Sequence, residues 1–597
     1  MKNLFLASTL CALSGYATAQ TAPPLQNPAP QAAPIPVRDL YADTWVATDA
    51  LGRTLPVGGE VRAPQPGKTA AMFYYIWQQD GPVVSDISKA LAANPKNPKL
   101  GGRPSFHWWG EPEAGYFRAD DPWVIRRNLS MLSDAGIDVI FFDATNALTY
   151  LDTVTSLCET AMEMRSKGEK TPQIGFLTNA RAGKTQTELY DKFYSRNLYP
   201  ELWFKWDGKP LLMGDVNATL EDKSPMRDEI KQFFSWRKSW AWATPTNWYG
   251  DGKGKWPWLD NSPQQPGLSP DGKIEQIVVE TAQHPTTLKG KSYQNGVEPP
   301  LNEVSLAADT NKGLYFAEQW KRALEVDPPL LFVTQWNEWI AQRFIGGQDG
   351  NPGFLGRKVE DGESYFVDVY NAEFNRDIEP MKGGWGDNYY YQLIDGLRRF
   401  KGARPIPVAS GPRRIQMNGD FKEWGAVGPE FRDTIGDTLH RDHRGWTKEL
   451  IYTNTTGRND IASAKVARDA KSLYFQVQTV APLTPKTDPN WMMLFIDADQ
   501  NPKTGWNGYD LRVVKGAIER FENGAWTKVG DAPLTLAGNQ LKLSIPRALL
   551  LATKPGLSFD FKWVDNAAPD NMDEWFVDGD TAPNRRFNYR FVVAPQN

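Results

Sequence analysis

The chain has 597 residues and a net charge of −4, from 67 basic and 71 acidic side chains. That length allows two or more domains with large cores, and a balanced charge without long like-charge blocks leaves no basic field for nucleic acid. The outlying figure is aromatic, with 24 Trp, 21 Tyr and 28 Phe; an indole face serves a packed core and also the C–H face of a sugar.

The N-terminus, MKNLFLASTLCALSGYATAQ, has the layout of a secretory signal. Lys2 is the positive start, Leu4 to Leu13 the apolar stretch, and Ala17-Thr18-Ala19 the small-residue cleavage site. Residues 1–19 are therefore expected to be removed, leaving Cys158 as the sole thiol and excluding an intrachain disulfide. Residues 20–37, rich in Pro and Ala, form a tether. No later stretch reaches the ~20 apolar residues that span a bilayer. The expectation is an exported protein, periplasmic or extracellular, with no membrane span.

From residue 38 short apolar runs alternate with amphipathic segments. AAMFYYIW (70–77), DVIFFDAT (138–145), QIGFLTNA (173–180), PLLMGD (210–215), WAWATP (240–245), EQIVVETAQ (275–283) and LLFVTQW (330–336) read as strands. Near-continuous apolar strands alternating with helices predict a parallel sheet covered on both faces. Seven strands and an uncertain eighth fit an α/β fold of the (β/α)8 TIM-barrel type over 38–408. A doubly wound sheet is the rival, but no Gly-rich turn follows the first strand. After GARPIPVASGP (402–412) the period becomes two, so 409–597 is expected to be an antiparallel β-sandwich.

In a barrel the carboxyl ends of the strands form the active face, and here several end in polar residues. Tyr75 and Trp77 end the first, Asp143 the second, Asn179 and Arg181 the third, and Glu280 with His284 the sixth. Gln335, Trp336, Asn337, Glu338 and Trp339 end the last, and the loop SFHWWGEPEAGYF (105–117) adds His107 and Trp109. Asp143 could equally cap the following helix, and His284 could be a hydrogen-bonded loop histidine. A strand end does not require Glu338 between two indoles and an amide. Glycosidic cleavage uses two carboxyl groups, and a desolvated one holds its proton to higher pH and suits a general acid. Glu338, Glu280 and Asp143 are the candidate catalytic carboxyls. Tyr75, Trp77, His107, Trp109, Asn179, Arg181, His284, Trp336 and Asn337 are the candidate sugar contacts.

FYYIW, FHWW, FFDATN and TQWNEW, in that order, resemble the glycoside hydrolase family 71/99-like group, which includes endo-α-mannosidases; the likeness spans about residues 65–408. It implies a (β/α)8 barrel that hydrolyses a glycan at an α-linkage. In family 99 the Asn-Glu-Trp motif supplies one catalytic carboxylate and a second Glu follows three residues later. Glu338 matches the first, but Ala341 stands at the second. IQMNGDFKEW (415–424), SLYFQVQTV and LFIDADQNPKTGWNGYDLRV (494–513) resemble carbohydrate-binding module family 9. Within the last stretch, Asp497, Asp499, Asn501 and Asp510 form an oxygen-rich loop that could hold a structural Ca²⁺ or be a solvated turn. Trp424, Trp506, Trp563 and Trp575 could stack on sugar, Trp424 and Trp563 fitting a core better. His440 and His443 have metal-like spacing without a third ligand.

The expected function is an exported glycoside hydrolase working by carboxylate acid/base catalysis on a polysaccharide or glycan, with no organic cofactor and no metal at the catalytic site. A non-catalytic glycan-binding protein on a degenerate barrel is the alternative raised by Ala341. A polysaccharide lyase is more distant, because no Arg/Lys cluster for a uronate is evident.

Overall fold

The computed structural model describes residues 36–101, 106–300, 309–550 and 557–594. The expected signal segment and residues 20–35 of the tether lie outside them. Residues from Val37 onward form one compact unit. Among the described residues no helix is long and apolar enough to cross a membrane.

Seven parallel strands form the first half: β1 (Thr69–Tyr74), β2 (Val139–Ala144), β3 (Gln173–Thr178), β4 (Lys209–Met213), β5 (Ser235–Arg237), β6 (Ile274–Glu280) and β7 (Leu330–Thr334). Their spatial order is β5-β4-β3-β2-β1-β7-β6. The first strand thus lies between the second and the last, the neighbour relation of a sheet curling towards a barrel. Among the described residues no eighth parallel strand closes the ladder. The expected strand at 240–245 is irregular; β5 lies just before it, and Trp242 takes a left-handed φ of 52° that a strand does not tolerate. Between β5 and β6 the segment 255–259 bonds back to 238–242 through Trp256 N–H to Lys238 O and Trp242 N–H to Leu259 O. On the other side the Gln276 amide donates to Pro257 O at 2.9 Å.

Strand side chains alternate between faces, and both faces are apolar. Met72, Tyr74, Ile140, Phe142, Phe176, Leu212, Val279 and Val333 pack with helices Pro122–Ala135, Leu151–Ser166, Leu314–Val326 and Asn388–Lys401. The other parity, Ala71, Phe73, Val139, Phe141, Leu177, Leu211, Val278, Leu330 and Phe332, fills the concave side with Trp256 and Trp258. Gly175 makes room there, since a Cβ on it would come within 2.5 Å of the Phe141 ring.

The second half has two large antiparallel sheets and a two-stranded one, Arg441–Arg444 with Ile451–Asn454. Phe431–Arg432, Ile461–Arg468, Ser472–Thr479, Gln540–Pro546 and Leu534–Ala537 make one. Ala525–Asp531, Ala517–Glu522, Leu511–Val514, Met493–Asp497, Ser558–Asp565 and Asp580–Ala582 make the other, with Tyr589–Val592 also on Ser558–Asp565. Phe475 of the first meets Phe559 and Phe561 of the second at 5.9 and 5.7 Å, so the sheets face each other across a shared core. Ion pairs join the halves: Arg441 to Asp121, the N-cap of helix Pro122–Ala135, at 2.8 Å, and Arg585 to Glu113 at 2.7 Å.

Gly175→Ala is expected to destabilise the chain by about 1–3 kcal/mol, the range for overpacking a core. Adding Phe141→Leu should restore part of that loss in denaturant unfolding.

Candidate active site

The parity that fills the concave side continues past the core. Tyr75 follows Phe73, Asp143 follows Phe141, and Glu280 follows Val278, so these polar side chains form the layer above the apolar one, at the carboxyl ends of the strands. Glu338 arrives differently. After β7, Gln335 takes a left-handed φ of 72°, and Asn337 clasps the end of β1 by accepting from Tyr75 N–H at 2.8 Å and donating to Tyr75 O at 3.1 Å. The Glu338 N–H is held by Asp377 at 2.6 Å.

One guanidinium organises the layer. Arg376, 1% exposed, pairs with Glu338 Oε2 at 2.5 Å and donates to the backbone O of Asp368 at 2.8 Å. Gln335 also donates to Glu338 Oε2 and to the Tyr75 hydroxyl. Burial drives the Glu338 carboxyl well above the usual carboxylate range; Arg376 opposes this, while Asp368, Asp377 and Asp143 reinforce it. Burial lifts Asp143 to about 6, against a bond from Thr145 N–H. That same 2.8 Å bond makes Asp143 a turn-forming residue as well as a site carboxyl. Burial lifts Glu280 to about 8, although Gln283 and Tyr315 donate to its Oε1 at 2.9 and 3.0 Å; its Oε2 has no partner. His284 is pushed well below the ordinary imidazole range by burial and by Arg376, and its Nε2 lies 3.8 Å from Asp368. The Asp368 side chain, 41% exposed, is the solvent-facing carboxyl of the group.

The structure therefore gathers Glu338, Glu280, Asp143, Tyr75 and His284 around Arg376, with Trp77 against Tyr75 at 5.5 Å. Other expected sugar contacts are placed elsewhere. Trp336 and Trp109 are fully buried. Trp109 stacks between Trp339 and Trp385 at 4.6 and 5.1 Å and donates to Asp377 at 2.6 Å. These buried indoles present no face to a ligand, and Trp109 holds the aspartate that holds Glu338. His107 is buried against Phe366 with Nε2 at Leu100 O. Asn337 is consumed by its clasp on β1. Asn179 and Arg181 are exposed, Arg181 lying 3.4 Å from Glu221. Arg376 and Asp368 were missed; both come from FVDVYNAEFNRDIEP (366–380), an aperiodic stretch whose only signal is its charge inside an otherwise buried run. Trp242 was missed too; it lies 4.9 Å from the His284 ring and donates to Gln283. Ala341 is buried on a strand paired with His107.

In the second half Trp424, Trp563 and Trp575 are buried, and Trp506 is partly so against Phe495. Carboxylate oxygens of Asp497, Asp499 and Asp510 lie within 4.8 Å of one another. They already accept from backbone: Gln500 N–H to Asp497, Asn501 N–H to Asp499 and Ala498 N–H to Asp510. That pattern fits a turn. His440 Nε2 and His443 Nδ1 meet the carbonyls of Gly457 and Arg444.

No protein-family model matches the sequence, and no curated protein does. Among solved structures, a GH99 endo-α-mannosidase from Bacteroides thetaiotaomicron in complex with bis-tris-propane aligns over 56% of this chain and 97% of its own, at 14% identity and a TM-score of 0.32. A family 9 carbohydrate-binding module from Caldicellulosiruptor kristjanssonii in complex with glucose aligns over 32% and 95%, at 15% identity and a TM-score of 0.18. A family 5 glycoside hydrolase from Bacteroides vulgatus aligns over 86% and 95%, at 11% identity and a TM-score of 0.21. Likenesses this distant assign neither a family nor an activity.

Glu280 makes a testable contribution to stability. Its folded pKa is raised, so folding favours the protonated form, and stability is lost as pH rises from about 4.5 through about 8. Glu280→Gln is expected to flatten that decline in the melting temperature relative to wild type.

Proposed function

We propose that this chain hydrolyses a glycan at the carboxyl ends of the parallel strands, with Glu338 as the proton donor and Asp368 as its partner carboxylate. The observation that carries the reading is the sharing of one buried cation, Arg376, by carboxyls in unequal surroundings. Burial raises both carboxyls, Glu338 (3% exposed) well above the usual carboxylate range and Asp368 (41% exposed) less so, each opposed by Arg376, so Asp368 ionises at lower pH than Glu338. Environments that separate two carboxyl pKa values are what acid/base cleavage of a glycosidic bond needs. Glu338 gives its proton to the leaving oxygen as the C–O bond breaks. Asp368 meets the developing positive charge, either bonding the anomeric carbon or taking a proton from the attacking water. Asp143, beside both, tunes Glu338 by its charge. Trp77 and Trp242, the partly exposed indoles beside Tyr75 and His284, offer sugar-stacking faces. An α-linkage is what the motif resemblance implies, and an exported chain would meet such a polymer outside the cell.

A glycan-binding protein without turnover is the second reading. It is favoured by Ala341, where the resembled family places its second acid. Fragment analysis on a panel of α- and β-linked polysaccharides separates the two. Wild type is expected to release saturated oligosaccharides. Glu338→Gln and Asp368→Asn are each expected to lower kcat/KM by about 10²–10⁴-fold. Binding without release from any glycan would favour the second reading, and undiminished release by Glu338→Gln would remove Glu338 from the chemistry.

The negative charge of Asp143 helps hold the Glu338 proton. Asp143→Asn is therefore expected to move the alkaline limb of the kcat/KM profile to lower pH.

A further inference from the structure

A second group of carboxylates lies outside this site, where the two halves meet. Asp433 follows the short strand Phe431–Arg432, Asp437 lies in the turn after it, and Asp580 begins the strand Asp580–Ala582. Carboxylate oxygens of these three approach within 4.8 Å of one another. Asp460, just before the strand Ile461–Arg468, adds its charge to the group.

The hydrogen bonding of the group is incomplete in a way that points to a ligand. Asp433 is 0% exposed, yet neither of its carboxylate oxygens has a hydrogen-bond partner. Oδ1 of Asp437, of Asp460 and of Asp580 is likewise buried without one. The remaining oxygens of Asp460 and Asp580 accept from Gly436 N–H at 2.8 Å and Ile461 N–H at 2.6 Å, which fixes both carboxylates. The nearby cations are turned elsewhere. Lys562 donates to Pro583 O, Arg38 to the backbone carbonyls of Asp433 and Ala462, and Arg126 faces Glu163 and Glu169. Lys562, buried beside Asp433 and Asp580, and Arg126 and Lys167, beside Asp437 and Asp460, offset part of the charge without bonding these oxygens, and buried carboxylates left short of partners cost several kcal/mol even after relaxation. In a folded chain the group must either hold extra protons or hold a cation. Burial and mutual repulsion raise the carboxyls well above the ordinary range, which proton sharing would also use. Clustered carboxylates with bare, buried oxygens are the donor set of a hard divalent ion. Asp437 and Asp580 also line a cavity of about 90 Å³ shared with Asp134, Arg126 and Asn584, which leaves room for an ion's waters.

We propose that Asp433, Asp437 and Asp580, with Asp460 at the edge, bind one calcium ion that fastens the turn 433–438 and through it the joint between the two halves. Calcium fits better than magnesium, because ligands from separate chain segments give irregular all-oxygen coordination, whereas magnesium demands a near-ideal octahedron. The consequence for the joint follows from neighbouring contacts. Asn584 bridges Thr434 Oγ1 at 2.9 Å and Asp134 of helix Pro122–Ala135 at 3.0 Å. Gly436 lies so close to Arg126 and Lys167 that a Cβ there would meet their side chains at 3.2 and 2.7 Å. Holding the turn therefore holds the second half against helices of the first. This site is separate from the proposed catalytic one and does not depend on it.

The test uses the full chain after chelator treatment, titrated with CaCl₂ or MgCl₂ in a calorimeter and melted in each state. Wild type is expected to bind calcium with a dissociation constant of about 10⁻⁵ M or tighter, to melt lower with EDTA, and to recover with calcium but not with magnesium. Asp433→Asn is expected to lose both the binding step and the recovery. Asp499→Asn, in the other acidic loop, is expected to keep them. Should Asp433→Asn fail to fold, Asp437→Asn at the partly exposed edge serves in its place. A wild type whose melting ignores EDTA and calcium overturns the proposal in favour of shared protons. A calcium response lost in Asp499→Asn but kept in Asp433→Asn moves the ion to the other loop and equally overturns it. An equal response to magnesium overturns the choice of calcium.

Discussion

A single buried guanidinium sets the character of the concave face. Arg376 is the cation among Glu338, Asp143 and Glu280 in the desolvated layer and Asp368 at its partly exposed edge, and one positive charge cannot neutralise four carboxylates. Some of them must keep their protons at neutral pH. The strands supply the positions, the apolar layer beneath supplies the desolvation that keeps protons on the carboxyls, and Arg376 opposes that desolvation at each of them. Removing that guanidinium would take away the charge that opposes burial at all of these carboxyls and the donor that Glu338 Oε2 and the Asp368 carbonyl accept from, so the site's chemistry and its folding are tied to the same residue.

The indoles around Glu338 serve this arrangement from behind. Trp109 and Trp339 donate to Asp377 and Glu379. Asp377 in turn takes the N–H of Glu338 and, through its carbonyl, the buried Lys291. Three stacked indoles form a rigid wall, and two of them, Trp109 and Trp339, satisfy buried carboxylates with their N–H groups. Aromatic richness here is mainly an architecture for burying charge, and the partly exposed Trp77 and Trp242 are the indoles left beside the gathered side chains.

Periodicity made the strands of the first half legible, because a parallel strand apolar on both faces is a continuous run such as AAMFYY or IVVE. Their place at strand ends made Asp143 and Glu280 candidates, and in the structure both follow the concave-side parity above the apolar layer. What the sequence could not convey was the facing of single residues. Trp336 and Asn337 sit in a motif that reads as a sugar surface, yet one points into the core and the other clasps β1. Arg376 and Asp368 were invisible for a related reason: they come from a loop without a period, and their importance exists only once that loop folds over β7. The segment 240–245 misled because Trp-rich, extended-looking sequence need not pair as a ladder. The Asp433 group is the same lesson at longer range, its members lying between positions 433 and 580 with no common motif.

The most direct measurement of the central claim is a difference infrared titration of carboxyl protonation in wild type against Glu338→Gln. A protonated-carboxyl band that persists into the neutral range in wild type and is missing in Glu338→Gln is the expected result. It would mean that the layer around Arg376 keeps Glu338 as an acid. A Glu338 band that disappears at the pH of an ordinary exposed glutamate would contradict it, leaving Glu338 as a plain ion-pair partner of Arg376.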